Sequence, residues 1–401
     1  MGQHMGANWI QKIQHPTANI QKSSKFQAPQ FRCSDKDEAL AIGVYRRSVV
    51  VPFVHSKMSA QELNYALLRS VSRSFYLTLR ILPAAVRPQI GLAYLLARTT
   101  DTIADTELVS LEQRLAGLQA LREQILGSRR ETVDFGELAR QQGLAAERVL
   151  LEKTGENLAL LQSFQPADQK WIRDVLSIIT SGQELDLRRF DGASAEQIVA
   201  LQTDSELDDY TYRVAGCVGE FWTKLCRAHL FPKAALDERT FLANGVRFGK
   251  GLQLVNILRD LPVDLRKGRC YLPADDISSA GLTPADLLNP ANEPKLRPLY
   301  RKYLDLATGH LSAGWTYTNT VPRRCARVRL ACAWPLLIGQ ETLELLRRGN
   351  VLDPQERIKV TRSQVRRIIL RSLLAYPSKR AWERLGKEGS VKPQMDTDGH
   401  G

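Results

Sequence analysis

The chain has 401 residues, of which 43% are hydrophobic and 25% charged, and its formal net charge is +13. That length and balance support a full hydrophobic core and exclude a low-complexity or fibrous chain. The positive charge points to an anionic partner, whether nucleic acid, an anionic membrane surface or a phosphorylated metabolite. The six cysteines contain no CxxC pair, which argues against zinc and thioredoxin-type chemistry and for a reduced, cytoplasmic setting.

Residues 1–57 are rich in Gln, Lys and Ser and have poor periodicity. They are expected to be a disordered extension or a mis-assigned start, with a targeting or docking arm as the alternative; no charged-then-apolar signal peptide is present. Met58 directly precedes Ser59-Ala-Gln-Glu62, which predicts a helix start with Ser59 as N-cap and Glu62 at the capping-box position. From there to about residue 230 the pattern is helical. Leu63, Leu67, Leu68 and Val71 recur at helical spacing, Ile90 to Ala97 form a nearly all-apolar helix, and Pro83 and Pro88 mark a break between helices. Further helices are predicted over 168–190 and 237–261, the latter stopped or kinked by Pro262, whose ring clashes with the carbonyl four residues back. Residues 267–298 read as an ordered loop, helices return over 299–349 and 354–375, and the tail 377–401 is expected to be disordered. No stretch reaches the roughly 18 apolar residues of a membrane span.

Two aspartate pairs stand out. Asp101 and Asp105 lie in Tyr94-Leu-Leu-Ala-Arg98-Thr-Thr-Asp101-Thr-Ile-Ala-Asp105; Asp260 and Asp264 lie in Gln253-Leu-Val-Asn256-Ile-Leu-Arg259-Asp260-Leu-Pro-Val-Asp264. A four-residue step puts both carboxylates of a pair on one helix face, where like charges repel and need an offset. Magnesium arriving with a diphosphate suits them, because it takes one or two carboxylates plus phosphate oxygens and water. Spacing alone is weak: about one such pair is expected by accident at this aspartate content. Asp204/Asp208 is a third pair, with charge on several faces, and reads as a solvated helix start.

The surroundings separate the first two pairs from the third. Tyr94, Arg98, Asp101 and Asp105 form one helical stripe, as do Gln253, Asn256, Asp260 and Asp264, each on an otherwise apolar helix. Ser72-Arg73-Ser74-Phe75 offers hydroxyls and a guanidinium suited to phosphate, and Arg259 and Arg269 bracket the second pair. Tyr210 and Tyr212 precede Gly216 and Gly219, a small-residue stretch that reads first as helix packing; Tyr210 alone would read as a core tyrosine.

Taken in order, these segments, with Lys267-Gly-Arg269-Cys-Tyr-Leu-Pro273, resemble the squalene and phytoene synthase family of head-to-head prenyl transferases, over roughly Leu63 to Leu346. The Ser-Arg-Ser-Phe and Tyr-Leu-x-x-Arg-x-x-Asp runs are more similar to its squalene synthases. The resemblance implies an all-α, single-domain isoprenoid-synthase fold around a deep central cavity, with the catalytic domain over 58–376. It implies that two molecules of farnesyl diphosphate are joined through presqualene diphosphate, then reduced with NADPH to squalene. It implies Mg2+ held by Asp101, Asp105, Asp260 and Asp264. Ser72, Arg73, Ser74, Arg98, Arg259 and Arg269 would hold phosphate; Phe75, Tyr94, Gln253 and Asn256 would line the substrate site; Tyr210 would accept a proton or stabilise a cation. A monomer is expected.

Departures from the family pattern are Ala104 and Val263, where relatives often carry an acid, and Pro262, expected to tilt Asp264 off its stripe. Gly249-Lys-Gly251-Leu-Gln-Leu254 is no dinucleotide fingerprint, since no strand precedes it and residue 254 is not glycine. The basic, partly amphipathic stretch Arg357 to Arg371 reads either as a peripheral contact with an anionic membrane or as a terminal helix packed on the core. Dehydrosqualene, hydroxysqualene or phytoene formation are the alternatives within the family, and a non-catalytic assembly protein is the alternative outside it. No helix-turn-helix, zinc-finger or aromatic-basic motif supports nucleic-acid binding.

Overall fold

The computed structural model describes residues 67–388, except 73, 74, 107, 130, 132 and 357. The expected capping box at Ser59 and Glu62 therefore lies outside the described residues. Residues 67–72 are helical, and α1 (Phe75–Ile81) follows. Pro88 stands in the first turn of α2 (Arg87–Ala104), where its missing N–H breaks no bond. From Ile90 onward α2 is buried on all sides. Its threonines tolerate this because the hydroxyls of Thr99, Thr100 and Thr102 donate to the carbonyls of Leu95, Ala97 and Arg98 at 2.9, 2.7 and 2.9 Å.

A capping box of Ser110 and Gln113 starts α3 (Leu111–Leu126), and Gly127 at φ +82° ends it. Three short helices follow, α4 (Gly136–Arg140), α5 (Ala145–Glu152) and α6 (Thr154–Gln162). Next comes α7 (Pro166–Arg189), close to the predicted 168–190. The helix α8 (Asp204–Thr211) passes through a π turn (Tyr212–Gly216) directly into α9 (Cys217–Leu230). A two-residue parallel bridge pairs β1 (Val199–Ala200) with β2 (Arg269–Cys270).

The long α10 (Glu238–Leu265) corrects the expectation at Pro262: the helix runs on through it. Pro262 has no N–H for the Leu258 carbonyl, and the buried Tyr300 hydroxyl donates to that carbonyl instead, at 2.9 Å. The segment read as a loop after 267 holds β2, α11 (Ala274–Ser279), two 3-10 turns and the start of α12 (Glu293–Thr320). Pro294, read as a loop residue, occupies the first turn of α12, where proline is favoured. After α13 (Ala326–Arg348), α14 (Arg362–Ala375) begins later than the expected 354, at a Thr361/Gln364 capping box. The tail expected to be disordered from 377 contains α15 (Lys379–Glu388). Trp382 of α15 explains this order: it stacks on Trp315 of α12 with ring centroids 5.3 Å apart.

Two large apolar clusters form the core, one centred on α10 and α12 and the other on α2 and α7. At one seam, α9 and α10 touch backbone to backbone. A Cβ on Gly219 would lie 1.9 Å from the Gly245 carbonyl oxygen, and one on Gly249 would lie 2.1 Å from that of Ala215. Gly219 is thus a packing glycine, as its sequence context suggested, and the Gly249 run is helix interior.

Candidate active site

Between the two clusters lies a cavity with an empty volume of about 1340 Å³, open mouth included. Its wall is almost wholly apolar, built by Ile90 and Ala93 of α2, Ile179 of α7, Phe221 and Trp222 of α9, Phe248 and Leu252 of α10, Tyr317 of α12, Trp334 of α13, and Val365 and Ile369 of α14. Two polar side chains on this wall belong to the aspartate-bearing stripes: Tyr94 and Gln253. Each stands two turns before its aspartates, so both stripes lead out of the same cavity.

On α2, Asp101 is 5% exposed and accepts from Gln183 Nε2 of α7 at 2.5 Å. Arg98 Nη1 lies 3.9 Å from Asp101, while its Nη2 pairs with the buried Glu147 of α5. Burial alone would lower the Arg98 pKa, but Asp101 and Glu147 hold it above its ordinary value. Asp105 is half-buried at the end of the helix. Burial first, and then repulsion from Asp101, raise its carboxyl well above the usual range, offset in part by Arg98 and Arg269.

On α10, Gln253, Asn256 and Asp264 are buried, and Asn256 Nδ2 donates to Gln253 Oε1 at 3.3 Å. Arg259 grips Asp260 with two parallel bonds of 2.9 Å, a fork that holds the carboxylate in one orientation. Asp264 lies on the same helix as Gln253 and Asp260, beyond Pro262.

A third group, from α7, α8 and the β2 segment, links the two stripes. Arg269 Nη1 lies 3.5 Å from Asp186 Oδ2 and within electrostatic reach of Asp105. The Tyr271 hydroxyl donates to the same Asp186 oxygen at 3.2 Å, and the buried Tyr210 lies against Tyr271. The two rings stack with centroids 4.6 Å apart. Burial, reinforced by Tyr271, Asp186 and Asp264, pushes the Tyr210 pKa far above that of free tyrosine, so its hydroxyl stays protonated.

The structure does not gather every expected residue. Ser72 is buried, but its hydroxyl turns back onto the Leu68 carbonyl of its own helix. Arg73, Ser74 and the Phe75 side chain lie outside the described residues. Asp204 and Asp208 are exposed and pair with Lys302 and Lys250 at 2.7 Å, a surface role consistent with their solvated reading. Sequence reasoning missed Glu147, Gln183, Asp186 and Tyr271. Of these only Tyr271 carried a signal, its place beside Arg269.

The squalene/phytoene synthase family model matches residues 68–364. The chain belongs to the squalene/phytoene synthase family. Among its relatives, a presqualene diphosphate synthase of Sinorhizobium fredii is 28% identical over 322 residues, covering 79% of this chain and 99% of that protein. A 15-cis-phytoene synthase of Synechocystis is 30% identical over 255 residues, 62% of this chain and 66% of that one. A bifunctional lycopene cyclase/phytoene synthase of Gibberella fujikuroi is 30% identical over 252 residues; the match covers 60% of this chain but only 40% of that longer protein. In three dimensions this family member is similar to TcSQS solved with a ligand, at a TM-score of 0.68 and 21% identity, covering 86% of this chain and 94% of that one. It is also similar to the squalene synthase HpnC of Alicyclobacillus acidocaldarius, at 0.52 and 21%, covering 73% and 94%. These likenesses establish an all-α isoprenoid-synthase fold. Among the described residues, no helix is long and apolar enough to cross a membrane.

Proposed function

We propose that this chain is a prenyl transferase that joins two farnesyl diphosphates head to head through presqualene diphosphate, and that it goes on to reduce that product to squalene with NADPH. The observation that carries the first step is the junction of acid-and-arginine stripes with one long apolar cavity through Tyr94 and Gln253. A diphosphate fits the polar end and a prenyl chain fits the wall.

The aspartates stand in two pairs, one at the end of α2 and one on α10, a donor set that fits a cation arriving with a diphosphate and taking one or two carboxylates from each wall. Asp101, Asp105, Asp260 and Asp264 would hold Mg2+, which when bound neutralises charge on the departing pyrophosphate. Arg98, Arg269 and Arg259 would add fixed positive charge at the same end. Breaking the C1–O bond of one substrate sends its electron pair onto pyrophosphate. The C2–C3 double bond of the second substrate attacks C1 of the resulting allylic cation and leaves positive charge at C3; a proton then passes from that C1 of the first substrate to the released pyrophosphate, and the C–H electron pair closes the cyclopropane onto C3. The apolar wall keeps water from the cation. Tyr210, held neutral, serves through its ring and hydroxyl dipole as a cation stabiliser, which favours that role over proton acceptor.

A second reading, release of presqualene diphosphate without reduction, is favoured by the near-complete coverage of the Sinorhizobium presqualene diphosphate synthase. Incubation with farnesyl diphosphate and Mg2+, with and without NADPH, tests both. The first reading expects squalene only with NADPH; the second expects presqualene diphosphate in both. Asp101→Asn and Asp260→Asn should each reduce turnover by at least about 100-fold. Full turnover in either variant, or no product from farnesyl diphosphate in the wild type, overturns the proposal.

A further inference from the structure

We propose that the outer face of α14 docks on an anionic lipid bilayer and sets the α14 side of the cavity against it. Val365 and Ile369 of this helix line the cavity. On the outward face Leu370 and Leu374 are 58 and 72% exposed, and Leu373, on the flank next to the cavity-lining side, is 46% exposed. Arg362, Arg366 and Arg367 are exposed around these leucines, and α14 contains no acidic residue. The rotation of the helix is fixed from inside: buried Trp334 of α13 donates to Ser372 Oγ at 2.9 Å, which keeps the leucines turned outward. An outward apolar stripe flanked by guanidinium groups is the pattern of a helix that lies in the interface plane of a charged membrane.

The charge distribution selects the occupant. A second copy paired twofold on this face would bring three arginines against three arginines with no carboxylate on the helix between them. Anionic headgroups supply the counter-charge, and acyl chains take up the leucines. Docking stands on the helix alone. Its use, passing a long apolar product from cavity to bilayer without crossing water, rests on the proposed reaction.

The test uses the full chain, without substrate, on vesicles of phosphatidylcholine alone or of equal parts phosphatidylcholine and phosphatidylglycerol. The wild type should co-sediment at least tenfold more with the anionic vesicles. The Leu370→Ser/Leu374→Ser variant should lose at least tenfold in binding with an unchanged circular dichroism spectrum, and Arg366→Gln/Arg367→Gln should lose the preference for phosphatidylglycerol. The proposal is overturned if the wild type stays in the supernatant with both vesicles, or if the leucine variant binds as well as wild type. It is equally overturned if sedimentation velocity shows a wild-type dimer that the leucine variant dissolves, since the face then belongs to a second copy. Because binding is read without turnover, failure of the enzymatic proposal leaves this result standing.

Discussion

Arg98 is the most constrained charge at the polar end of the cavity. It is buried between Asp101 and Glu147, and Glu147 lies on a different helix. Glu147→Gln should lower stability by about 3 kcal/mol in denaturant unfolding, because a buried guanidinium then loses one of its two buried counter-charges. Tyr210 stacks on Tyr271, whose hydroxyl donates to Asp186. Tyr210→Phe keeps the stacked ring and removes the hydroxyl, and turnover should fall by about 100-fold with little change in KM. Asp186→Asn should fall less, since it acts through Tyr271. The aspartates and their stripes were legible in the sequence because helical spacing puts them on one face. Glu147, Gln183 and Asp186 were not, because each is a single polar residue whose partner lies on another helix and leaves no periodic trace.

At the level of elements, α10 shows how tertiary structure overrides a local rule. Proline removes one helical donor, and Tyr300 from α12 replaces it at the Leu258 carbonyl. Tyr300→Phe should therefore cost about 1–2 kcal/mol in the native chain. It should cost measurably less in a Pro262→Ala background, where the helix supplies its own N–H to Leu258; a double-mutant cycle by chemical denaturation reads the difference. Helical class was legible from apolar periodicity, and the number of helices and their ends were not. Pro294 read as loop and starts a helix, while Pro262 read as a stop and lies inside one. The same residue type means opposite things depending on whether its carbonyl partner has another donor, and that donor is 42 residues away.

For the whole molecule, burial of tyrosines sets the alkaline limit. Tyr210, Tyr271 and Tyr317 are buried with pKa values raised far above 10, first by loss of water. The unfolded chain releases these protons near pH 10, whereas the folded chain keeps them. The unfolded state then binds fewer protons, so stability is full below about pH 10 and falls as pH rises beyond it. Thermal unfolding should show a melting temperature that drops above pH 10, with tyrosinate absorbance for these groups appearing only at the transition. A flat melting temperature to pH 11 would contradict the burial.

The π turn at Tyr212–Gly216 has a consequence for descent. A π turn is an α-helix carrying one surplus residue, and each residue of a helix turns it by about 100°. Deleting a single residue there would restore regular winding and swing everything before it around the axis. Tyr210 would leave Tyr271, while α9 and its glycine seam stayed in place. A homologue with a one-residue gap at this point should thus keep the fold but carry its counterpart of Tyr210 away from Tyr271, which makes the length of this short segment a marker for which lineages kept that stacked pair.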